Sequence, residues 1–235
     1  MYSDLKADHV WLIGSGARGD GDPGSDIDIL LISDNDSTSE LKHKLEDIYR
    51  PKTNFDICFY TPPGIEAVIK GGSLFGWHVK KEGIALYDKN NWLRLCLNKI
   101  PPYNNHLNDL NLLLKLSQDI FDSLYESSLS LEYDAGVIST SIRNTCIVMT
   151  DFFGSTDFSP KSYLRLNIIA PTELNIPLTD FEYNLLLGYR RESERGITFN
   201  APNAPIDQSS LFDIAERVIS WQINCIEFMS ERSKS

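Results

Sequence analysis

The sequence predicts two architectures in series: an α/β domain on a small mixed sheet, then an all-α helical bundle. Three observations carry this. Short apolar runs alternate with amphipathic segments up to about residue 100. Pro101-Pro102, with Asn104 and Asn105, then break the chain. Beyond them the apolar residues recur at helical spacing throughout. The expected boundary lies near 100–105, with domains at 1–103 and 104–235.

In the first part, HVWLIG (9–14) is a short apolar run ending in glycine, and DIDILLIS (26–33) alternates before becoming continuously apolar. Both read as strands. LKHKLEDIYR (41–50) places Leu41, Leu45, Ile48 and Tyr49 on one helical face, and Pro51 stops it. NFDICFY (54–60) is a strand rich in aromatic and β-branched residues. Helices are expected at 62–70, opened by paired prolines, at 73–81, punctuated by Gly83, and at 91–100. IALYD (84–88) is a further short strand, so a mixed sheet of four or five strands should fill residues 8–100. In the second part, helices are expected at 106–127, 132–153, 178–194 and 209–232. The last carries Leu211, Ala215, Val218, Gln222, Cys225 and Met229 on one stripe. A shorter helix near 160–168 would take Ser159 as N-cap and Pro160 at its first position.

Composition bounds the function. With 235 residues, 42% hydrophobic and 23% charged, the chain is ordinary globular material rather than disordered or fibrous. No run of about 18 apolar residues predicts a membrane span. The opening MYSDLKADHVWLIGSG has no basic segment followed by an apolar one, so no signal peptide is expected. Cys58, Cys96, Cys146 and Cys225 lie far apart with no CxxC, which fits a reducing cytoplasm and neither zinc nor a disulfide framework. The net charge is −11, divided as −3 over 1–100 and −8 over 101–235. Neither part supplies the basic footprint that nucleic acid needs. The acidic second part suits a cationic small molecule or a basic protein surface, or serves solubility alone.

The chemistry is concentrated in residues 14–28, GSGARGDGDPGSDID. Gly14, Gly16 and Gly19 spell a dinucleotide fingerprint. However, Gly21, Pro23 and Gly24 forbid the helix it must open, and the next strand follows too soon for a crossover. A P-loop fails because Asp20 stands at the lysine position, and an EF-hand fails because Ser25 stands at the invariant glycine. What remains is Gly14-Ser15, ten intervening residues, then Asp26-Ile27-Asp28 opening a strand. Side chains two apart in a strand share a face, so Asp26 and Asp28 project together and Ile27 faces the core. Paired carboxylates repel unless a cation neutralises them, and a hard divalent ion takes such oxygens. Asp56, which interrupts the apolar strand 54–60, is the candidate third carboxylate for a two-metal clamp. Gly14 and Ser15 would let backbone N–H groups and a hydroxyl approach a triphosphate, with Arg18 adding a charge-assisted contact.

Gly14-Ser15 through Asp28, with Asp56 downstream, resembles the nucleotidyltransferase superfamily that includes DNA polymerase beta. Within it, GSGARGDGDPGSDIDILL is most similar to the minimal prokaryotic nucleotidyltransferases, whose usual text is GS-x-ARG followed by SDIDLL. SLFGWHVKKEGIALY (73–87) also resembles the helix and last strand of that family. The resemblance covers about residues 9–100. It implies the nucleotidyltransferase fold, metal binding by Asp26, Asp28 and Asp56, and triphosphate binding by Gly14, Ser15, Arg18 and Ser25. The helical part resembles, in architecture, the HEPN and kanamycin-nucleotidyltransferase bundles attached to such domains.

The activity this implies is transfer of a nucleoside monophosphate, AMP from ATP foremost, to an acceptor hydroxyl with release of pyrophosphate. It would use two Mg²⁺ ions, with Mn²⁺ as a substitute, and Asp56 would help orient or deprotonate the hydroxyl. The acceptor stays open between an aminoglycoside-like cation and a protein or RNA in a toxin–antitoxin-like module. A homodimer is compatible with this reading. The contrasting class is a non-catalytic nucleotide-binding or antitoxin-like partner, against which an intact carboxylate triad argues. His9, His43, His106 and His78 read as structural, Lys80 and Lys81 as surface residues, and Trp77, Trp92 and Trp221 as core. Arg190, Arg191 and Arg195 read as a solvated cluster. Arg143 is not followed by histidine, and none occurs after His106, so the bundle lacks the residue a HEPN ribonuclease needs. It should instead form a wall of the acceptor cleft facing the carboxylates.

Overall fold

The computed structural model describes residues 7–21, 26–34, 38–49, 55–126, 130–195 and 206–232. The chain divides into two compact units, Met1–Asn104 and Asn105–Ser235.

In the first unit, β1 (His9–Ile13) runs into a single-turn helix, α1 (Gly14–Arg18). Next come β2 (Ile27–Ile32), α2 (Thr38–Tyr49), β3 (Phe55–Tyr60), α3 (Pro62–Lys70), α4 (Leu74–Glu82), β4 (Ile84–Asp88) and α5 (Trp92–Leu97). The described strands form one four-stranded sheet in the order β3-β2-β1-β4. β1 is antiparallel to β2 and β4, whereas β2 and β3 are parallel, so the sheet is mixed as expected. Strand alternation sends Val10, Ile29, Leu31 and Phe55 to the face covered by Leu41 and Leu45 of α2. Trp11, Ile13, Leu30 and Ile32 go to the other face, under Ile65 and Ile69 of α3, Val79 of α4, and Leu93 and Leu97 of α5.

The helix starts follow local chemistry. Thr61 Oγ1 accepts from Gly64 N (3.3 Å) ahead of the two prolines of α3, and Ser73 Oγ accepts from Gly76 N (3.1 Å) at the start of α4. Asp88 accepts from the Leu93 and Arg94 amides of α5 and also pairs with buried His9 at 2.7 Å. His9 stacks on Trp92 at 4.8 Å, so its role is to lock β1 to β4. Helix α2 begins three residues before the expected Leu41. Its polar first turn, Thr38-Ser39-Glu40, carries no apolar periodicity but places an acid where the helix dipole favours one. The stop expected at Pro51 lies outside the described residues.

The second unit contains α6 (His106–Glu126), α7 (Leu131–Phe152), α8 (Ser162–Ile169), α9 (Asp180–Arg195) and α10 (Gln208–Arg232). The stripe expected on α10 is buried, joined by Ile214 and Trp221. Helices α7 and α9 cross closely at Gly136, where a Cβ would sit 3.1 Å from Arg190 Cα. The interior holds a polar knot. Ser117 and Ser141 hydroxyls meet at 2.8 Å, and Gln222 Nε2 donates to Ser141 Oγ and Thr145 Oγ1, both at 2.9 Å. Ser159 and Pro160 do not open α8 as expected. The buried Tyr183 donates its hydroxyl to the Pro160 carbonyl (2.7 Å), and Ser159 Oγ accepts from Lys161 N (3.1 Å). Residues 159–161 are thereby held in a turn, and Lys161 becomes the N-cap. Among the described residues no helix is long and apolar enough to cross a membrane.

Candidate active site

Antiparallel and parallel pairing together bring three strand ends to one place. Ile13, the last residue of β1, pairs with Asp28, and Asp28 pairs with Asp56 across the parallel β2–β3 ladder. Neighbouring strands lie about 4.8 Å apart, so two residues in register present their side chains side by side on the same face. Asp28 has the parity of Leu30 and Ile32, and Asp56 that of Cys58 and Tyr60. The carboxylates therefore share the face covered by α3–α5, at the starts of β2 and β3. Asp26 stands one residue before β2 with the same parity and is half-buried, its Oδ1 shut from solvent.

The field of this pair registers on Cys58. Burial pushes its thiol up, and the negative charges of Asp56 and Asp28 push it further. Gly14 is shaped by the same carboxylate. Its φ is +65°, in the left-handed region, and a Cβ there would lie 2.0 Å from Asp28 Oδ2. The position thus requires glycine twice over, for its backbone and for the space the carboxylate takes. Ser15 follows, half-buried, with its carbonyl accepting the amides of Gly19 (2.9 Å) and Asp20 (3.3 Å) to close α1.

Arg18 ends α1. Its Nη1 donates to Glu82 Oε2 of α4 at 2.8 Å, and its Nε donates to Asp20 at 3.1 Å. His78 Nε2 lies 3.0 Å from the same Glu82 oxygen. Burial pushes the Glu82 carboxyl up, but the neighbouring His78 ring and the hydrogen-bonded Arg18 guanidinium outweigh it and hold the carboxyl below its usual range. Neither Glu82 nor Asp20 was among the expected site residues. Ser25 lies outside the described residues. His106 begins α6 and pairs with Asp151 at 2.9 Å, and Trp221 is buried with its indole N–H on the Leu174 carbonyl (2.8 Å). Trp77 is half-buried beneath Lys80, whose Nζ lies 4.6 Å from the ring centroid, and donates its indole N–H to the Pro101 carbonyl (3.0 Å).

The donor set fits a hard divalent cation in part. Asp28 and Asp56 offer carboxylate oxygens from opposed register positions, and the missing Gly14 side chain leaves one of them its space. Among the described residues no group of three His, Cys, Asp or Glu side chains is set to enclose one ion. The strand register thus fixes two carboxylates, and Asp26 adjoins them by sequence parity.

Residues 3–82 match the family model described as "Nucleotidyltransferase domain". No curated protein sequence matches the chain. Among solved structures, the chain is similar to the crystal structure of spectinomycin adenyltransferase AAD(9) from Enterococcus faecialis with ATP and spectinomycin. The identity is 13% and the TM-score 0.49, over 92% of this chain and 92% of that one. The family match spans β1 to the end of α4 and contains Gly14, Arg18, Asp28 and Asp56, so the first unit is similar to a nucleotidyltransferase domain over that stretch.

Proposed function

We propose that this protein transfers a nucleoside monophosphate, AMP from ATP, to a hydroxyl of a cationic small molecule of the aminoglycoside kind. The observation that supports this best is the in-register pair Asp28–Asp56, with the Asp28 carboxylate against the bare Cα of Gly14, inside the stretch that matches the nucleotidyltransferase family. In this reading Asp26, Asp28 and Asp56 hold two Mg²⁺ ions, or Mn²⁺ in their place. When bound, the ions neutralise the triphosphate and the departing pyrophosphate.

The remaining work falls to the chain's own groups. Gly14 and Ser15 bring backbone N–H groups and a hydroxyl to the triphosphate, and Arg18, with Ser25 ahead of Asp26, contacts its oxygens. The acceptor oxygen bonds to the α-phosphorus as the bond to the β-phosphate oxygen breaks. Asp56 orients the acceptor hydroxyl and takes its proton. The rate gain comes from positioning and charge neutralisation, as in other phosphoryl transfers. Residues 104–235 recognise the acceptor in this account, and their −8 charge over 101–235 favours a cation. The four free cysteines suit a reducing cytoplasm.

The test is transfer of label from α-labelled nucleoside triphosphates, with Mg²⁺ or Mn²⁺, to a panel of aminoglycosides, tRNA and cell lysate. Label on an aminoglycoside supports the proposal. Label on tRNA or protein transfers the acceptor to the toxin–antitoxin-like class. Nucleotide binding with no transfer to any acceptor favours a non-catalytic partner protein.

A further inference from the structure

The guanidinium of Arg18 is held from two sides by carboxylates of unlike setting. Glu82, on α4, is a partly buried anchor: its side chain is 17% exposed, it takes Nη1 at 2.8 Å, and His78 approaches the same oxygen at 3.0 Å. Asp20, two residues beyond Arg18, is 43% exposed and takes Nε through both oxygens at 3.1 Å. The Arg18 side chain itself is only 14% exposed. The buried contact spans 64 residues of sequence and ties α1 to α4, whereas the exposed one is local and open to water. Solvent screens an exposed pair and weakens it, while a shielded pair keeps its strength. A carboxylate spanning a guanidinium N–H with both oxygens also occupies the position that a phosphate oxygen would take.

We propose that Glu82 is a positioning residue that fixes Arg18 toward the triphosphate, and that Asp20 is a placeholder carboxylate on Arg18 which the triphosphate displaces. This rests on the reading of Gly14, Ser15 and Arg18 as the triphosphate end of the site. The two acids then act with opposite sign. Asp20 competes with the ligand, so removing its charge tightens binding. Glu82 supports the ligand's partner, so removing its charge weakens binding although it lessens repulsion of an anion.

The experiment measures ATP binding by calorimetry in the presence of Mg²⁺ for the full chain, Asp20→Asn, Glu82→Gln, Glu82→Asp and Arg18→Gln, with Asp20→Asn repeated in the Arg18→Gln background. Pyrophosphate release is followed alongside, and thermal melts confirm folding. Asp20→Asn should lower Kd severalfold, and Glu82→Gln should raise it by roughly tenfold, the scale of one charge-assisted hydrogen bond. Glu82→Asp should recover part of that loss. The gain from Asp20→Asn should vanish when Arg18 is already glutamine, which a bulk charge effect would not do.

An unchanged Kd for Glu82→Gln in a folded protein overturns the anchor. A gain from Asp20→Asn that persists without Arg18 overturns the placeholder. ATP binding with no pyrophosphate release in the presence of the aminoglycoside, tRNA and lysate panel refutes the transfer reading and leaves this comparison intact. No ATP binding by the unmodified protein overturns both.

Discussion

Substituting Gly14 tests whether the turn after β1 is built around the Asp28 carboxylate. Gly14→Ala incurs two costs. The left-handed backbone at φ +65° costs about 1–2 kcal/mol for a residue with a Cβ. The new Cβ would stand 2.0 Å from Asp28 Oδ2 and 2.8 Å from its Cγ, so the carboxylate must swing aside. Driving that side chain off its rotamer adds about 0.5–1.5 kcal/mol. Gly19→Ala is the matched control, because φ there is +74° and nothing lies within 4 Å of its Cβ position. Both variants should lose stability, Gly14→Ala by the larger amount, read as a difference in melting temperature. The activity contrast should be sharper. A displacement of about 1 Å in a reacting constellation can lower the rate on the order of 100-fold, so pyrophosphate release should collapse in Gly14→Ala and persist in Gly19→Ala. Equal rates in the two proteins would refute the coupling between Gly14 and Asp28.

Three further outcomes follow from the geometry. The Glu82 carboxyl is held below its ordinary value of 4.5, so the stability its network contributes is present above that pH and is lost as pH falls below it. The melting difference between the unmodified protein and Glu82→Gln should therefore shrink on acidification below 4.5, and a difference that grows would reverse the assignment. Gln222→Met should destabilise the second unit by about 1–3 kcal/mol in urea unfolding, because the Ser141 and Thr145 hydroxyls lose a buried donor; an unchanged midpoint would show that the knot is dispensable. Burial pushes the Cys225 thiol up to about 12, so native protein should leave it unalkylated at mildly basic pH while unfolded protein modifies it, as mass spectrometry of the peptides would show.

Much of the first unit is legible in the sequence because its signals are local. The common face of Asp26 and Asp28 follows from alternation alone, and Asp28 and Asp56 are legible as acids that each interrupt an apolar strand. Their direct opposition does not follow, because it depends on a parallel register that no short pattern encodes. Helix α1 is a single turn, too short to show a period, and reads only as a glycine-rich bend. Glu82 escapes notice for a different reason: it sits at the end of an ordinary helix, and its partner Arg18 lies 64 residues away. In the second unit the helices show their period, but Ser159-Pro160 satisfies the rule for a helix start without being one. The tertiary bond from Tyr183 to the Pro160 carbonyl overrides the local preference.

The most direct test of the account compares the unmodified protein with Asp56→Asn and Asp28→Asn in pyrophosphate release from ATP, with Mg²⁺ and a responsive acceptor. Each variant removes one charge of the in-register pair and keeps the size of the side chain. The unmodified protein should release pyrophosphate and neither variant should do so above background, with melting temperatures unchanged or raised through relieved repulsion. Full release by Asp28→Asn under saturating metal would contradict the account.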